Sequence, residues 1–252
     1  MTVHTATFRI LALSSGLSTP SSTRMLADQL TRETAAALGA DGTQVEVSTV
    51  ELREYAHDLI DALLTRFPSE RLAMVIEQVR AADAIVAVTP IFNVGPAGLF
   101  KMFVDVLDTA LWADKPVLLG AAAGTARHSL AIDYALRPMF GYLKADLVPT
   151  SVFAASADFG ADTEHQADAQ PLAVRVRRAA AELATMLRAR RGVAAGADTA
   201  GDGAGAQPAD GDSGADSTPA DDGSVPTGEP ARPALDAEFS DFVPMGQLLR
   251  RG

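Results

Sequence analysis

Residues Thr7–Leu38 read TFRILALSSGLSTPSSTRMLADQLTRETAAAL. The first seven, Thr7–Leu13, form a short apolar, β-rich run that Ser14-Ser15-Gly16 closes. From Met25 to Leu38 the apolar residues Leu26, Leu30, Ala37 and Leu38 are separated by Asp28, Arg32 and Glu33, the pattern of an amphipathic helix. A strand, a hydroxyl-rich loop and a helix in that order are the opening unit of an α/β domain.

The same alternation continues outward. Gln44–Val50 alternates polar and apolar residues, which predicts a strand with one wetter face, and helices are predicted near Glu54–Leu64 and Ser69–Ala82, broken by Phe67-Pro68. Ala84–Thr89 (AIVAVT) is a continuous apolar strand ended by Pro90, followed by a helix over Ala97–Leu111 and a strand at Pro116–Ala121. A helix over His128–Lys144, a fifth strand at Leu147–Phe153 and a closing helix over Ala169–Arg190 complete the body. Three of the five strands are apolar on both faces, as interior parallel strands between helix layers are. Five strands with right-handed helical crossovers make a doubly wound sheet, whose ligands sit at the strands' C-terminal ends where the order reverses. The loops expected to carry chemistry are therefore Ser14–Arg24, Pro90–Gly98 and Ala122–His128.

Composition narrows the classes. The 252 residues contain no cysteine, which excludes disulfides, thiolate nucleophiles, zinc knuckles and iron–sulfur centres. Met1–Arg9 lacks the basic start and apolar core of a signal peptide, and no apolar run approaches the ~20 residues of a membrane-spanning helix. A cytoplasmic protein without a membrane partner is expected. Of the net charge of −11, residues 1–191 carry −3 and residues 192–252 carry −8. A nearly neutral body gives no reason to expect a nucleic-acid partner.

The composition also divides the chain into a body (1–191), a linker (192–234) and a C-terminal segment (235–252). The linker is Ala, Gly, Asp, Pro, Ser and Thr almost throughout, with nine glycines and five prolines, and cannot bury enough apolar surface to offset the entropy of ordering. A disordered, acidic linker is predicted. Its Asp210, Asp212 and Asp216 do not make a calcium loop, because Gly214 falls where a ligand is needed. After the linker, Phe239, Phe242, Leu248 and Leu249 restore an apolar patch, which is either a segment that docks on its own body or a neighbouring subunit, or a frayed tail whose apolar residues are incidental.

The first loop holds five serines and two threonines immediately before a helix. Backbone amides at a helix start favour an anion, and hydroxyls add donors without charge, so the loop suits a terminal phosphate monoester. Capping alone uses one or two such hydroxyls. The loop lacks both GxxxxGK[ST] and GxGxxG, against a magnesium-bound triphosphate or a pyrophosphate held in the usual way. In the second loop, Gly95 and Gly98 allow close backbone approach and Phe92 offers a surface for a ring. The third, Gly120–His128, is small and Gly/Ala-rich. Each of these two is equally an ordinary strand-to-helix turn when taken alone.

Together, Ser14–Leu26 (SSGLSTPSSTRML), Thr89–Leu107 (TPIFNVGPAGLFKMFVDVL) and Gly124–Phe140 (GTARHSLAIDYALRPMF) resemble the NAD(P)H-dependent FMN reductases of flavodoxin-like fold. The resemblance covers roughly residues 7–190 and implies the sheet order 2-1-3-4-5. It is strongest to reductases that supply reduced flavin to two-component monooxygenases, and Asp241–Pro244 resembles the ending of a branch partnered with luciferase-like monooxygenases. It implies FMN and NAD(P)H as cofactors. Ser18, Ser21, Ser22 and Thr23 correspond to phosphate-loop positions, Pro90, Ile91, Phe92 and Asn93 to a turn along the isoalloxazine, and Gly124 and Thr125 to the loop beside the ring. Asp133–Leu136 corresponds to a π-helical insertion at a subunit interface, making Tyr134 an assembly candidate in a homodimer or homotetramer.

Hydride transfer between stacked rings needs no side-chain acid or base, and no catalytic residue or metal site is expected. His128, Ser129 and Asp133 lie within six residues and no GxSxG elbow exists, against a hydrolase. Arg127 and His128 could meet a nucleotide phosphate or simply face solvent. Lys101 and Asp105, four apart on a helix, read as a surface ion pair. The alternatives are a quinone or azo reductase with retained FMN, and a non-enzymatic flavodoxin-type carrier.

Overall fold

The computed structural model describes residues 7–160 and 170–200, the last eight of these by backbone alone. The C-terminal segment 235–252, and all of the linker beyond Ala200, lie outside the described residues.

Among the described residues there are seven strands and six α-helices. The strands are β1 (Phe8–Ser14), β2 (Val45–Glu51), β3 (Ala84–Phe92), β4 (Gly95–Pro96), β5 (Pro116–Ala123), β6 (Asp146–Leu147) and β7 (Val152–Ala155). The helices are α1 (Ser22–Gly39), α2 (Ala56–Thr65), α3 (Glu70–Ala81), α4 (Gly98–Val106), α5 (Arg137–Tyr142) and α6 (Leu172–Ala200). The main path runs β2-β1-β3-β5, all parallel, with β6 and β7 both pairing alongside β5. Counting β6 and β7 as two halves of one edge strand gives the flavodoxin-like order 2-1-3-4-5.

Side chains of interior strands alternate between two cores. Leu11, Leu13, Ile85, Ala87, Val117 and Leu119 face one layer with Leu59, Phe100, Trp112 and Phe140. Phe8, Ile10, Val86, Val88 and Leu118 face the other with Leu26, Leu30, Val176 and Leu183. Successive residues of a strand point to opposite faces, so the doubly apolar runs follow from burial on both sides. Gly120 makes the α1 side fit, because a Cβ there would stand 3.0 Å from Val88 and 3.2 Å from Leu30.

Several predicted elements are corrected. Seven strands replace the predicted five. Pro90 does not end its strand: β3 runs to Phe92 and turns back into β4, with Ile91 opposite Pro96 and Phe92 opposite Gly95. A proline is tolerated there because pairing with β1 ends at Val88, so on that side Pro90 stands at a free edge while still lying opposite Ala122 of β5. The helix expected over Ala97–Leu111 stops at Val106, and a 3₁₀ turn at Thr109–Leu111 is capped by Asp108. The helix expected over His128–Lys144 divides into a 3₁₀ turn (Ala126–His128), a π-helical turn (Ile132–Leu136) and α5. Pro138 sits in the first turn of α5, where its missing N–H costs no hydrogen bond. The predicted fifth strand splits into β6 and β7 around Pro149. The closing helix runs ten residues beyond the predicted Arg190, to Ala200. No helix among the described residues is long and apolar enough to cross a membrane.

Candidate functional site

The C-terminal ends of β1, β3, β5 and β7 open onto one cleft of about 430 Å³, within the ordinary range for a small-molecule site. Its position follows from topology, since strand order reverses between β1 and β3.

The β1–α1 loop forms one wall. Gly16 turns the chain back against the start of α1 so closely that a Cβ would meet Ser21 Oγ at 2.0 Å. Ser21 is the N-cap of α1, and its Oγ accepts from Arg24 N at 3.2 Å. Ser18, Ser22 and Thr23 line the cleft with it, and Thr23 is buried. The first turn of α1 carries no acidic residue, so the positive end of an 18-residue helix faces the opening uncompensated. Ser15, immediately before Gly16, is wholly buried and its Oγ has no partner among the described residues.

Behind this wall an ion-pair chain holds the loop. Arg24 donates to Asp28 at 2.8 Å and to Glu51 at 2.5 Å. The hydrogen bond to Asp28 leads in raising the guanidinium above its ordinary pKa. Arg53 pairs with Glu51 at 2.8 Å and donates to the Ser18 carbonyl at 3.3 Å and to Thr19 Oγ1. These arginines are thus committed to carboxylates and backbone.

The second wall is the β3–β4 hairpin. Pro90, Ile91 and Phe92 line the cleft, and the Phe92 side chain is 50% exposed. The turn consists of Asn93 (φ 50°) and Val94 (φ 65°), both left-handed as a two-residue primed turn requires. Asn93 occupies the hairpin tip and is not part of the cleft lining. The hairpin is fastened at its base by Ala97 N, which donates to Pro90 O at 3.0 Å and to the buried Thr89 Oγ1 at 3.1 Å.

Gly124 and Thr125, following β5, complete the third wall, with the small residues Ala122 and Ala123 beneath. A Cβ on Gly124 would meet nothing within 4 Å, so this side is open. Nine of the ten residues singled out from the sequence therefore share one cleft. The sequence reading missed Gly16, Leu17, Ala122, Ala123 and Ser156. Ser156 begins the turn after β7, a loop with no distinctive motif, and the predicted fifth strand ends at Phe153, two residues short of the end of β7.

Among the described residues His128 is the one titratable residue lining the cleft, whereas Ser129 and Asp133 line a different cavity. Asp133 is paired with Arg137 at 3.0 Å, so no Ser–His–Asp relay exists. Lys101 and Asp105 make the expected surface pair at 2.6 Å. Among the described residues no cluster of His, Cys, Asp or Glu could hold a metal ion. The cleft is a neutral, hydroxyl-lined pocket that positions a ligand without supplying a strong acid or base.

Residues 8–160 match the family model described as NADPH-dependent FMN reductase. The FMN reductase (NADPH) of Pseudomonas aeruginosa is 32% identical over 186 residues, 74% of this chain and 96% of its own length. The NADH-dependent FMN reductase SfnE of Pseudomonas putida is 34% identical over 171 residues, 68% of this chain and 88% of its own. Among solved structures, an oxidoreductase from Corynebacterium diphtheriae aligns with a TM-score of 0.67 at 44% identity, covering 72% of this chain and 97% of that one.

Proposed function

The chain belongs to the NADPH-dependent FMN reductase family, and from that premise we propose that the cleft at the strand ends is its flavin site and that reduced FMN leaves it for a partner monooxygenase. The protein is an NAD(P)H-dependent oxidoreductase acting on FMN. The observation that carries the placement is the convergence of three strand-end loops on one pocket with no carboxylate among its described lining residues.

The residues fit FMN. A phosphate monoester needs donors and no competing negative charge; the α1 N-terminus with Ser18, Ser22 and Thr23 offers both. Ser21 contributes by capping, which fixes the first turn of the helix. Gly16 lets the loop lie tight against that turn, and the orphaned Ser15 hydroxyl marks unspent hydrogen-bonding capacity at its root. Pro90, Ile91 and Phe92 form a wall against which a flat ring system packs. Gly124 and Thr125 border it on the open side, where a nicotinamide can approach. Asn93 acts from the hairpin tip, by holding the turn rather than by touching the ring.

FMN, when bound, supplies the hydride-accepting chemistry. The chain supplies orientation: the phosphate end is anchored by α1 and the hairpin fixes the plane, converting an encounter into a held geometry. No side-chain proton donor is required at the cleft. The half-open wall supports exchange of the flavin rather than permanent retention, as delivery to a luciferase-like monooxygenase requires. The cysteine-free sequence supports a cytoplasmic setting. Tyr134, 79% exposed on the π-helical turn, supports assembly as a homodimer or homotetramer.

Steady-state oxidation of NADPH and NADH by the full chain, with FMN, riboflavin or FAD added, tests this. A rate that rises and saturates with free FMN is expected. A flavin that stays bound through gel filtration and turns over without added FMN would contradict the delivery reading.

A further inference from the structure

We propose that Arg127, with His128 beside it, receives the ribose 2′-phosphate of NADPH at the open side of the cleft, so that this one guanidinium selects NADPH over NADH. This seat depends on the flavin placement proposed above, which leaves the pyridine nucleotide outside the pocket.

Thr125 and His128 both line the cleft, and Arg127 stands between them on the 3₁₀ turn Ala126–His128. Arg127 is exposed, and its side chain makes no hydrogen bond or ion pair among the described residues. The arginines of the phosphate-side wall are engaged already: Arg24 lies on Asp28 and Glu51, and Arg53 on Glu51 and the Ser18 carbonyl. The acids on neighbouring elements are engaged too. Asp133 is held by Arg137 at 3.0 Å, and Asp158 by Arg175 at 2.7 Å. A surface arginine that serves only solubility describes Arg32, Arg66 and Arg177. They also lack a side-chain partner among the described residues, but none lies on a loop that lines the cleft.

Size places the second nucleotide over this turn. A cleft of about 430 Å³ lies near the lower end of the range for one drug-sized ligand, so FMN fills it and a pyridine nucleotide must extend beyond the rim. The α1 start faces the flavin phosphate and the hairpin closes another wall. That leaves the Gly124 side, where a Cβ would meet nothing within 4 Å. A nicotinamide entering there carries its remaining length along the residues that follow Gly124, and the first cation in that stretch is Arg127. NADPH differs from NADH in a single group, the phosphate monoester on the adenosine ribose. A guanidinium forks two N–H groups onto such a phosphate, and the His128 ring adds a donor from the cleft side. With no carboxylate among the described lining residues, nothing in the cleft competes for the arginine.

Calorimetric titration of the full chain in saturating FMN, with adenosine 2′,5′-bisphosphate and separately with AMP, tests the proposal without turnover. The wild type is expected to bind the bisphosphate about tenfold more tightly than AMP, the effect of one charge-assisted pair of hydrogen bonds. Arg127→Ala is expected to bring the two ligands within about twofold, and Arg127→Lys, which keeps the charge without the fork, to hold a preference of about threefold. Steady-state assays with FMN carry the matching signature: the NADPH-to-NADH ratio of kcat/KM falls about tenfold in Arg127→Ala, through KM and not kcat. Raising the salt concentration narrows the wild-type ratio, because the pair is exposed. A wild type that binds the bisphosphate no better than AMP would overturn the proposal, as would an Arg127→Ala variant that keeps the preference or weakens both ligands alike. Failure of the flavin reading looks different, since neither nucleotide would then be oxidised with FMN present.

Discussion

A single hydrogen in place of a methyl group decides how the β1–α1 loop meets its helix. At Gly16 a Cβ would stand 2.0 Å from Ser21 Oγ and 3.2 Å from Thr23 Cβ, so any larger residue pushes the loop off the helix start. Gly16→Ala is therefore expected to raise the FMN concentration for half-maximal rate about tenfold, the effect of the ~1–3 kcal/mol that local overpacking costs. An unchanged value would mean that the loop does not touch the phosphate. The hydroxyl-rich loop was legible in the sequence because serine and threonine concentrate there beyond what capping uses. Gly16 was not, because its necessity comes from Ser21 folding back over it, a contact that spacing alone does not report. Asn93 was read with the ring-facing turn. In the structure it instead takes φ 50° at a hairpin tip, a role typical of asparagine.

At the scale of elements, the long α6 is tied to the broken edge strand by Arg175 on Phe153 O, by Arg190 on Asp146 and by the carboxylate of Glu182 between β6 and β7. Glu182 accepts from Thr150 N at 2.8 Å, from Thr150 Oγ1 at 2.7 Å and from Arg178 at 3.1 Å. Burial alone would raise its pKa, but the Thr150 donors and Arg178 outweigh burial and hold it below 4.5. A folded-state pKa below the unfolded one means stabilisation that is complete above pH 4.5 and lost as pH falls through the folded value. Glu182→Ala is expected to lower the unfolding free energy by about 1–2 kcal/mol at neutral pH. The gap from wild type should close on acidification below pH 4.5, as urea melts at two pH values will show. The interior strands were legible because burial on both faces leaves only apolar residues. The fifth strand and the helix after β5 were not resolved correctly. Pro149 and Pro138 interrupt hydrophobic runs whose periodicity otherwise continues, and a π-helical turn leaves no mark on a pattern read at 3.6 residues per turn.

For the molecule as a whole, two cores on either side of one parallel sheet hold the loops at its C-terminal edge rigidly enough to make a site. The reversal of strand order between β1 and β3 places that site, so the three loops could be chosen from the alternation of elements before any geometry was known. Ser156 escaped because the loop after β7 offered no composition to notice. Ion pairs such as Arg24–Glu51, which brace the β1–α1 loop from the end of β2, are long-range contacts that local sequence patterns do not reveal. The proposed flavin site needs the hydroxyl-lined start of α1 to receive the phosphate of FMN. Ser22→Asp, assayed for reduced-nicotinamide oxidation with FMN and, separately, with riboflavin, which has no phosphate, tests this. A carboxylate in the first turn suits the helix itself, so the fold is retained. The half-saturating FMN concentration is expected to rise about tenfold or more while the value for riboflavin holds. Equal losses with both flavins, or none with either, would mean that the phosphate does not sit at the start of α1.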